Sequence, residues 1–411
     1  MKKKHKYLMH RVLSETPSRI TARRLAQAHH VHHFTGKTWG LSSKNREGNN
    51  ICSLFFPGHL QVSWQPLHCF RQIPLPRRPS PPPLNRPFAT LINFTTPKSG
   101  KPAQNTYFCN MNTSNAEIIT HQWFAGKWKP RPADGHKGTF GHLLLIAGHE
   151  GMIGAAVLAA RSALRSGVGK VTVHIPRCGR DVLQVAVPEA VLQVDESSES
   201  CWSSLIDLTG FTAVAVGPGL GTDGETAFAL RILLKALLER ETAGTPLPLI
   251  LDADALNLLA ADYQLLSLVP PHSLLTPHLG EMRRLCRALD LPCEELADLQ
   301  VAARMLSDSL RLNLLLKDHI PHLFIPEGRL LVAEGGGNSA LAKAGSGDVL
   351  TGLIGGLAAQ GYLPEEAAGL GVCLHREAGK IAEARHSAPA TVASDLVDAI
   401  GQAFLHLLPP H

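Results

Sequence analysis

The chain has 411 residues, 44% of them hydrophobic, and its formal charge of +6 joins two unlike parts: residues 1–110 hold 17 Lys/Arg against 2 acids, which leaves 23 against 32 for residues 111–411. That size and apolar content can bury a large core, as one large domain with an appendage or as two domains. No run approaches about 18 uninterrupted apolar residues, which argues against a membrane span, and the 8 cysteines lack CxxC spacing, which argues against a zinc site or disulfide framework and for free thiols in a reducing cytoplasm.

Residues 1–117 read as a basic, Pro/His-rich extension, disordered or not part of the native protein. They contain Met1-Lys2-Lys3-Lys4, a His cluster from His29 to His33 and a proline run from Pro74 to Pro87, with no helical or strand period. A transit peptide would also be Arg-rich and acid-poor, but this stretch is long, proline-broken and without amphipathic pattern. The His cluster lacks Cys or carboxylate partners, so it reads as solvated imidazoles rather than a metal tract.

From about Leu143 the rhythm becomes short apolar runs alternating with helical patterns. Strands are expected at 143–147, 170–175, 213–216, 248–251, 273–275, 313–316 and 323–325, with helices at 154–166, 226–239, 280–288, 293–306, 349–360 and 364–383. Strands apolar on both faces and separated by helices imply a mostly parallel sheet covered on both sides. Residues 118–411 are therefore expected to form a single α/β domain.

Chemistry concentrates in the run from Asn338 to Gly352. Gly345 and Gly347 permit a tight turn whose backbone N–H groups converge, and the helix expected after Asp348 aims its positive end there. Gly345, Ser346 and Gly347 thus form a candidate anion hole, with Asp348 as the base that takes a proton from an attacking hydroxyl. The plainer alternative makes Asp348 an N-cap after a glycine turn. Further glycine-bearing turns follow predicted strands, where parallel sheets collect ligands: Gly217-Pro218-Gly219-Leu220-Gly221, and Thr276-Pro277-His278 before Gly280-Glu281. Beyond another strand, Asp252 and Asp254 could help hold Mg²⁺ through water or simply cap a helix. His278 could hydrogen-bond a ligand, and Gly154, Ala155 and Ala156 leave room for one at a helix start.

Lys137-Gly138 to Gly141, Gly148 to Ala156, Gly217 to Gly221, Leu251 to Asn257, Thr276 to Glu281, Leu316-Lys317 and Asn338 to Gly352 together resemble the ADP/ATP-dependent NAD(P)H-hydrate dehydratases. The resemblance covers about residues 118–408 in order and spacing. It implies a ribokinase-like three-layer α/β/α fold and repair of (6S)-NADHX or NADPHX with Mg²⁺ and a nucleotide, ADP favoured over ATP. It also implies a homo-oligomer, with a tetramer suspected, and a separate epimerase as companion. Ala155, Gly219, His278 and Asp348 would contact the hydrated dinucleotide, and Lys317, Asp318, His319, Ile320 and Pro321 with Gly347 would hold the nucleotide.

The chain departs from the family pattern at Leu316-Lys317-Asp318-His319-Ile320-Pro321. Asp replaces a glycine and Pro a threonine, bringing a negative charge to the nucleotide loop and removing a hydroxyl and a backbone donor. Residues 1–117 lack the strand–helix alternation of the epimerase domain often fused to such enzymes, so no epimerase activity is expected of them. The nearest rival within the fold is a kinase of the hydroxymethylpyrimidine or hydroxyethylthiazole type. A nucleic-acid-binding arm in the basic extension is disfavoured, because its few aromatics are not interleaved with the basic residues.

Overall fold

A computed structural model describes residues 116–408, together with the backbone of strands β1 (Cys52–Phe56) and β2 (Leu60–Trp64). β1 and β2 pair antiparallel, Cys52 opposite Trp64 and Phe56 opposite Leu60, where the sequence reading expects no strand. Glu117, at the end of the expected extension, is the first residue of a strand; for residues 1–115 the expectation of disorder otherwise lies outside the described residues, as do the His cluster and the proline run. The chain divides into two compact units, residues 1–89 and 90–411, and the second carries everything below.

Its strands are β3 (Glu117–Ile119), β4 (His142–Ile146), β5 (Lys170–Pro176), β6 (Val191–Asp195), β7 (Ala213–Val216), β8 (Leu249–Leu251), β9 (Leu274–Leu275), β10 (Asn313–Leu316), β11 (His322–Ile325) and β12 (Arg329–Ala333). They form one sheet in the order β3-β12-β11-β10-β9-β8-β7-β4-β5-β6. β11 is antiparallel to both its neighbours and every other pairing is parallel. The helices are α1 (His121–Lys127), α2 (Ile153–Arg165), α3 (Arg180–Ala186), α4 (Gly224–Thr242), α5 (Ala253–Ala261), α6 (Leu279–Ala288), α7 (Leu296–Leu310), α8 (Ser346–Ala359), α9 (Pro364–His386) and α10 (Ala393–Leu407).

Successive side chains of a strand point to opposite faces, so an all-apolar strand feeds two cores. In β4, Leu143 and Leu145 join one apolar cluster with α2, α8, α9 and α10, while Leu144 and Ile146 join another with α4 to α7. The result is the expected three-layer α/β/α arrangement. α8, buried along nearly its whole length, packs against α2 so closely that a Cβ on Gly352 would overlap the Ala159 carbonyl oxygen and Ser162 Oγ.

Several boundaries differ from expectation for local reasons. α7 begins at Leu296 rather than residue 293, where the Glu295 N–H is satisfied by Asp298 Oδ2 (2.9 Å), which fixes the first turn. α9 runs on to His386, and α1, α3, α5 and α10 add helices to those expected. Among the described residues no helix is long and apolar enough to cross a membrane.

Candidate active site

Gly345, at φ +89°, is the N-cap of α8, a conformation that costs an L-residue with a side chain and is open to glycine. Asp348 therefore lies in the first turn of the helix and is not its cap, so the plain N-cap reading does not fit. The Ser346 N–H donates to the Lys343 carbonyl (3.2 Å). Gly347 and Asp348, one residue further into α8, have N–H groups with no acceptor inside the helix. Burial, then Asp252, push the Asp348 carboxyl up to about 6, with Asp254 adding to the rise and Lys317 opposing it. A carboxyl poised there can exchange protons near neutral pH.

Beside this turn lies a buried ion pair. Lys317 Nζ reaches Asp252 Oδ1 at 2.6 Å, and Thr351, one turn beyond Asp348 on α8, donates its hydroxyl to Asp252 Oδ2. Asp252 is only 1% exposed and makes no side-chain cap to α5, although it occupies the N-cap position. Its side chain serves Lys317 instead. Burial works against the Lys317 ammonium, but Asp252, Glu281 and Asp348 outweigh it and hold its pKa above the usual value. An ammonium has three donors, so two remain after Asp252. A Cβ on Gly347 would stand 3.5 Å from Lys317 Nζ, which places the lysine directly opposite the turn.

His278 joins Lys317 through an isolated parallel bridge and caps α6. Its Nδ1 accepts the Gly280 N–H at 2.9 Å, and Glu281 Oε2 accepts the His278 N–H at 2.8 Å. Burial, Lys317 and Arg284 lower the His278 pKa, with Asp252 opposing them, which favours the neutral ring. Glu281, also buried, is pushed up to about 7 by that burial, with Asp252 adding and Lys317 opposing.

The glycine turns converge on the same edge. Gly217, at φ +134°, passes so close to β8 that a Cβ would overlap the Asp252 carbonyl oxygen, and a Cβ on Gly219 would meet the Ala155 Cβ at 2.9 Å. Gly221 N–H donates to Asp254 Oδ2 (3.0 Å), whose Oδ1 accepts from Asn257 (3.0 Å), so Asp254 braces this loop. Next to Lys317, the nucleotide-loop candidates Asp318, Ile320 and Pro321 are half-buried and His319 exposed. His319 Nε2 accepts the Gly337 N–H (3.2 Å), and the Pro321 carbonyl accepts from Ala333 (3.1 Å).

The structure thus places Asp252, His278, Lys317, Gly347 and Asp348 in one cluster and Ala155 against Gly219, while residues 318–321 extend away from Lys317 toward the loop after β12. Thr351 and His375 were not singled out in the sequence. Thr351 was accessible from its spacing, three residues after Asp348 on one helix face. Among the described residues no group of three or more His, Cys, Asp or Glu could hold a metal, and both Asp252 oxygens are engaged. Direct ligation of magnesium by Asp252 is therefore not supported, while contact through a magnesium-bound water, the expectation from the sequence, is left open by its remaining lone pairs.

The family described as NAD(P)H-hydrate dehydratase matches residues 143–402. The chain is 37% identical over 291 residues to the bifunctional NAD(P)H-hydrate repair enzyme of Moorella thermoacetica, covering 69% of this chain and 53% of that protein. It is 37% identical over 264 residues to the ADP-dependent (S)-NAD(P)H-hydrate dehydratase of Neisseria meningitidis, covering 63% and 82%. The chain spans about half the length of the bifunctional relatives it matches. Among solved structures it is similar to the ADP/ATP-dependent NAD(P)H-hydrate dehydratase of Bacillus subtilis co-crystallised with ATP/Mg²⁺, with 28% identity, a TM-score of 0.58 and coverage of 71% of this chain and 99% of that one.

Proposed function

Because the chain belongs to the NAD(P)H-hydrate dehydratase family, we propose that it restores NADH or NADPH from the (6S) hydrate at the expense of a nucleotide, with ADP as the favoured donor. The observation that carries this reading is Asp348, a carboxyl raised to about 6 in the first turn of α8, facing Lys317 across the glycine turn. Hydroxide is a poor leaving group from C6 of the hydrated ring, and phosphorylating that hydroxyl makes it a good one. Asp348 takes the hydroxyl proton as the oxygen attacks the terminal phosphoryl group. The Gly347 N–H, with Gly345 and Ser346 shaping the turn around it, and Lys317 receive the charge that develops on the phosphoryl oxygens. Electron release from the ring nitrogen then expels phosphate, and loss of the C5 proton completes the dihydronicotinamide.

Ala155 and Gly219 shape the floor for the hydrated dinucleotide and His278 donates to it, while Lys317 to Pro321 flank the nucleotide. Magnesium would arrive with the nucleotide phosphates, the usual mode for this ion, and no protein carboxylate is assigned to it. The free-thiol composition supports a cytoplasmic setting, and the bifunctional relatives support a companion epimerase. The test is incubation with (6S)-NADHX, Mg²⁺ and either ADP or ATP, following dihydronicotinamide absorbance and phosphate release. Nucleotide-dependent recovery of absorbance supports the reading; accumulation of a phosphorylated alcohol without it would assign the site to a small-molecule kinase.

A further inference from the structure

His375 lies on α9 and is 7% exposed. Its Nε2 is 3.0 Å from Ser346 Oγ and 3.0 Å from the Ser346 carbonyl oxygen. A carbonyl can only accept, so the bond to it requires the proton on Nε2; in the other tautomer Nε2 would instead accept from the Ser346 hydroxyl. Burial, followed by the positive charges of Lys317 and Arg376, lowers the ring's pKa to about 4 despite the bond to Ser346, so at physiological pH the ring is neutral.

The Ser346 carbonyl and the Gly347 N–H are two ends of one planar trans peptide group and point to opposite sides of it. Holding the carbonyl toward α9 therefore aims the Gly347 N–H away from α9. A hydrogen bond accepted by the carbonyl also polarises the amide and strengthens its N–H as a donor.

We infer that His375 is a positioning residue, which through the Ser346–Gly347 peptide orients and strengthens the N–H that receives charge in phosphoryl transfer. The inference rests on the function proposed above. It also explains why a polar ring is kept in the otherwise apolar contact between α8 and α9, where Leu374, Ala378 and Ile354 pack with no exposure.

Two variants separate positioning from packing. His375→Met fills a similar volume without a donor, and His375→Gln keeps an N–H at comparable reach. We expect His375→Met to lower kcat by tenfold or more with the KM for the hydrate within about threefold, and His375→Gln to recover most of that loss at a similar melting temperature. Wild-type kcat in His375→Met, or equal impairment in both variants, would overturn the inference. Should the variants fold poorly, imidazole ¹⁵N shifts of the intact wild-type chain read the protonated nitrogen directly. A protonated Nε2 coupled through the bond to the Ser346 carbonyl carbon supports the inference, and an unprotonated Nε2 sinks it. That spectrum is independent of catalysis, whereas a wild-type protein inert toward the hydrate would refute the proposed function instead.

Discussion

Lys317→Met probes the buried pair at the centre of the site. In the wild type the lysine side chain is 17% exposed and Asp252 is 1% exposed, so neither charge is well screened by water. Methionine retains most of the aliphatic stem but leaves Asp252 with Thr351 as its remaining side-chain partner. Removing one member of such a pair costs about 3–5 kcal/mol, mostly because the other is stranded. The Thr351 hydroxyl softens this, which favours the lower figure. With roughly 2–4 °C per kcal/mol for a domain of this size, the nucleotide-free protein should melt about 6–12 °C lower. Combining the change with Asp252→Asn removes the stranded charge, so the double variant should be more stable than Lys317→Met alone despite carrying one more substitution. Scanning calorimetry of the ligand-free proteins near neutral pH is the measurement. A loss under about 2 °C in the single variant, or a double variant no better than the single, would show that the pair is not buried as described.

Asp348→Asn preserves shape but removes the base, and turnover should fall by about 10²–10⁴ with hydrate binding largely retained; near-normal turnover would reduce Asp348 to a structural role. Because its neutral acid form is favoured by burial and Asp252, the base is present only above about pH 6, so kcat/KM should rise through that pH. Asp252→Asn, which removes a charge that raises this pKa, should be compared with Lys317→Met, which removes one that lowers it; the Lys317→Met limb should lie at higher pH, and coincident limbs would contradict the geometry. Asp318→Gly should lower the apparent KM for the nucleotide more than that for the hydrate, and an unchanged value would mean that Asp318 points away from the phosphates. Gly217→Ala combines an unfavourable φ of +134° with overlap of the Asp252 carbonyl, and a destabilisation of about 2–5 kcal/mol is expected, read from urea unfolding.

The central strands were legible because strands buried on both faces read as unbroken apolar runs, as in Leu143 to Ile146 and Ala213 to Val216. Edge strands give no such signal. β6 contains Val191, about half exposed, and a charged end at Asp195, while β3 has three residues and among the described residues pairs only with β12. α10 was there to be read, since Leu396, Val397, Ile400, Ala403 and Leu407 recur at helical spacing and are all buried. In the site, Asp348 was legible from the glycines around it, because they state a local conformation. The pairing of Asp252 with Lys317, 65 residues away, and of His375 with Ser346 arises only from tertiary packing. No local pattern announces either.

The pairing of β3 with β12 bears on how the chain is made. Ile118 lies opposite Val332, and Trp128, just after α1, stacks on Tyr362 and meets Phe404 of α10 edge-on. At roughly 5–20 residues per second, a ribosome needs on the order of 10–40 s after finishing β3 to supply its partner strand. During that interval the three residues of β3 and the apolar side of α1 must wait with their partners not yet synthesised. Docking of this edge should therefore be among the last events of folding, and a long sequence separation of this kind slows the search for native contacts. A pulse of hydrogen exchange during refolding should find the amides of β3 protected after those of β4 and β7.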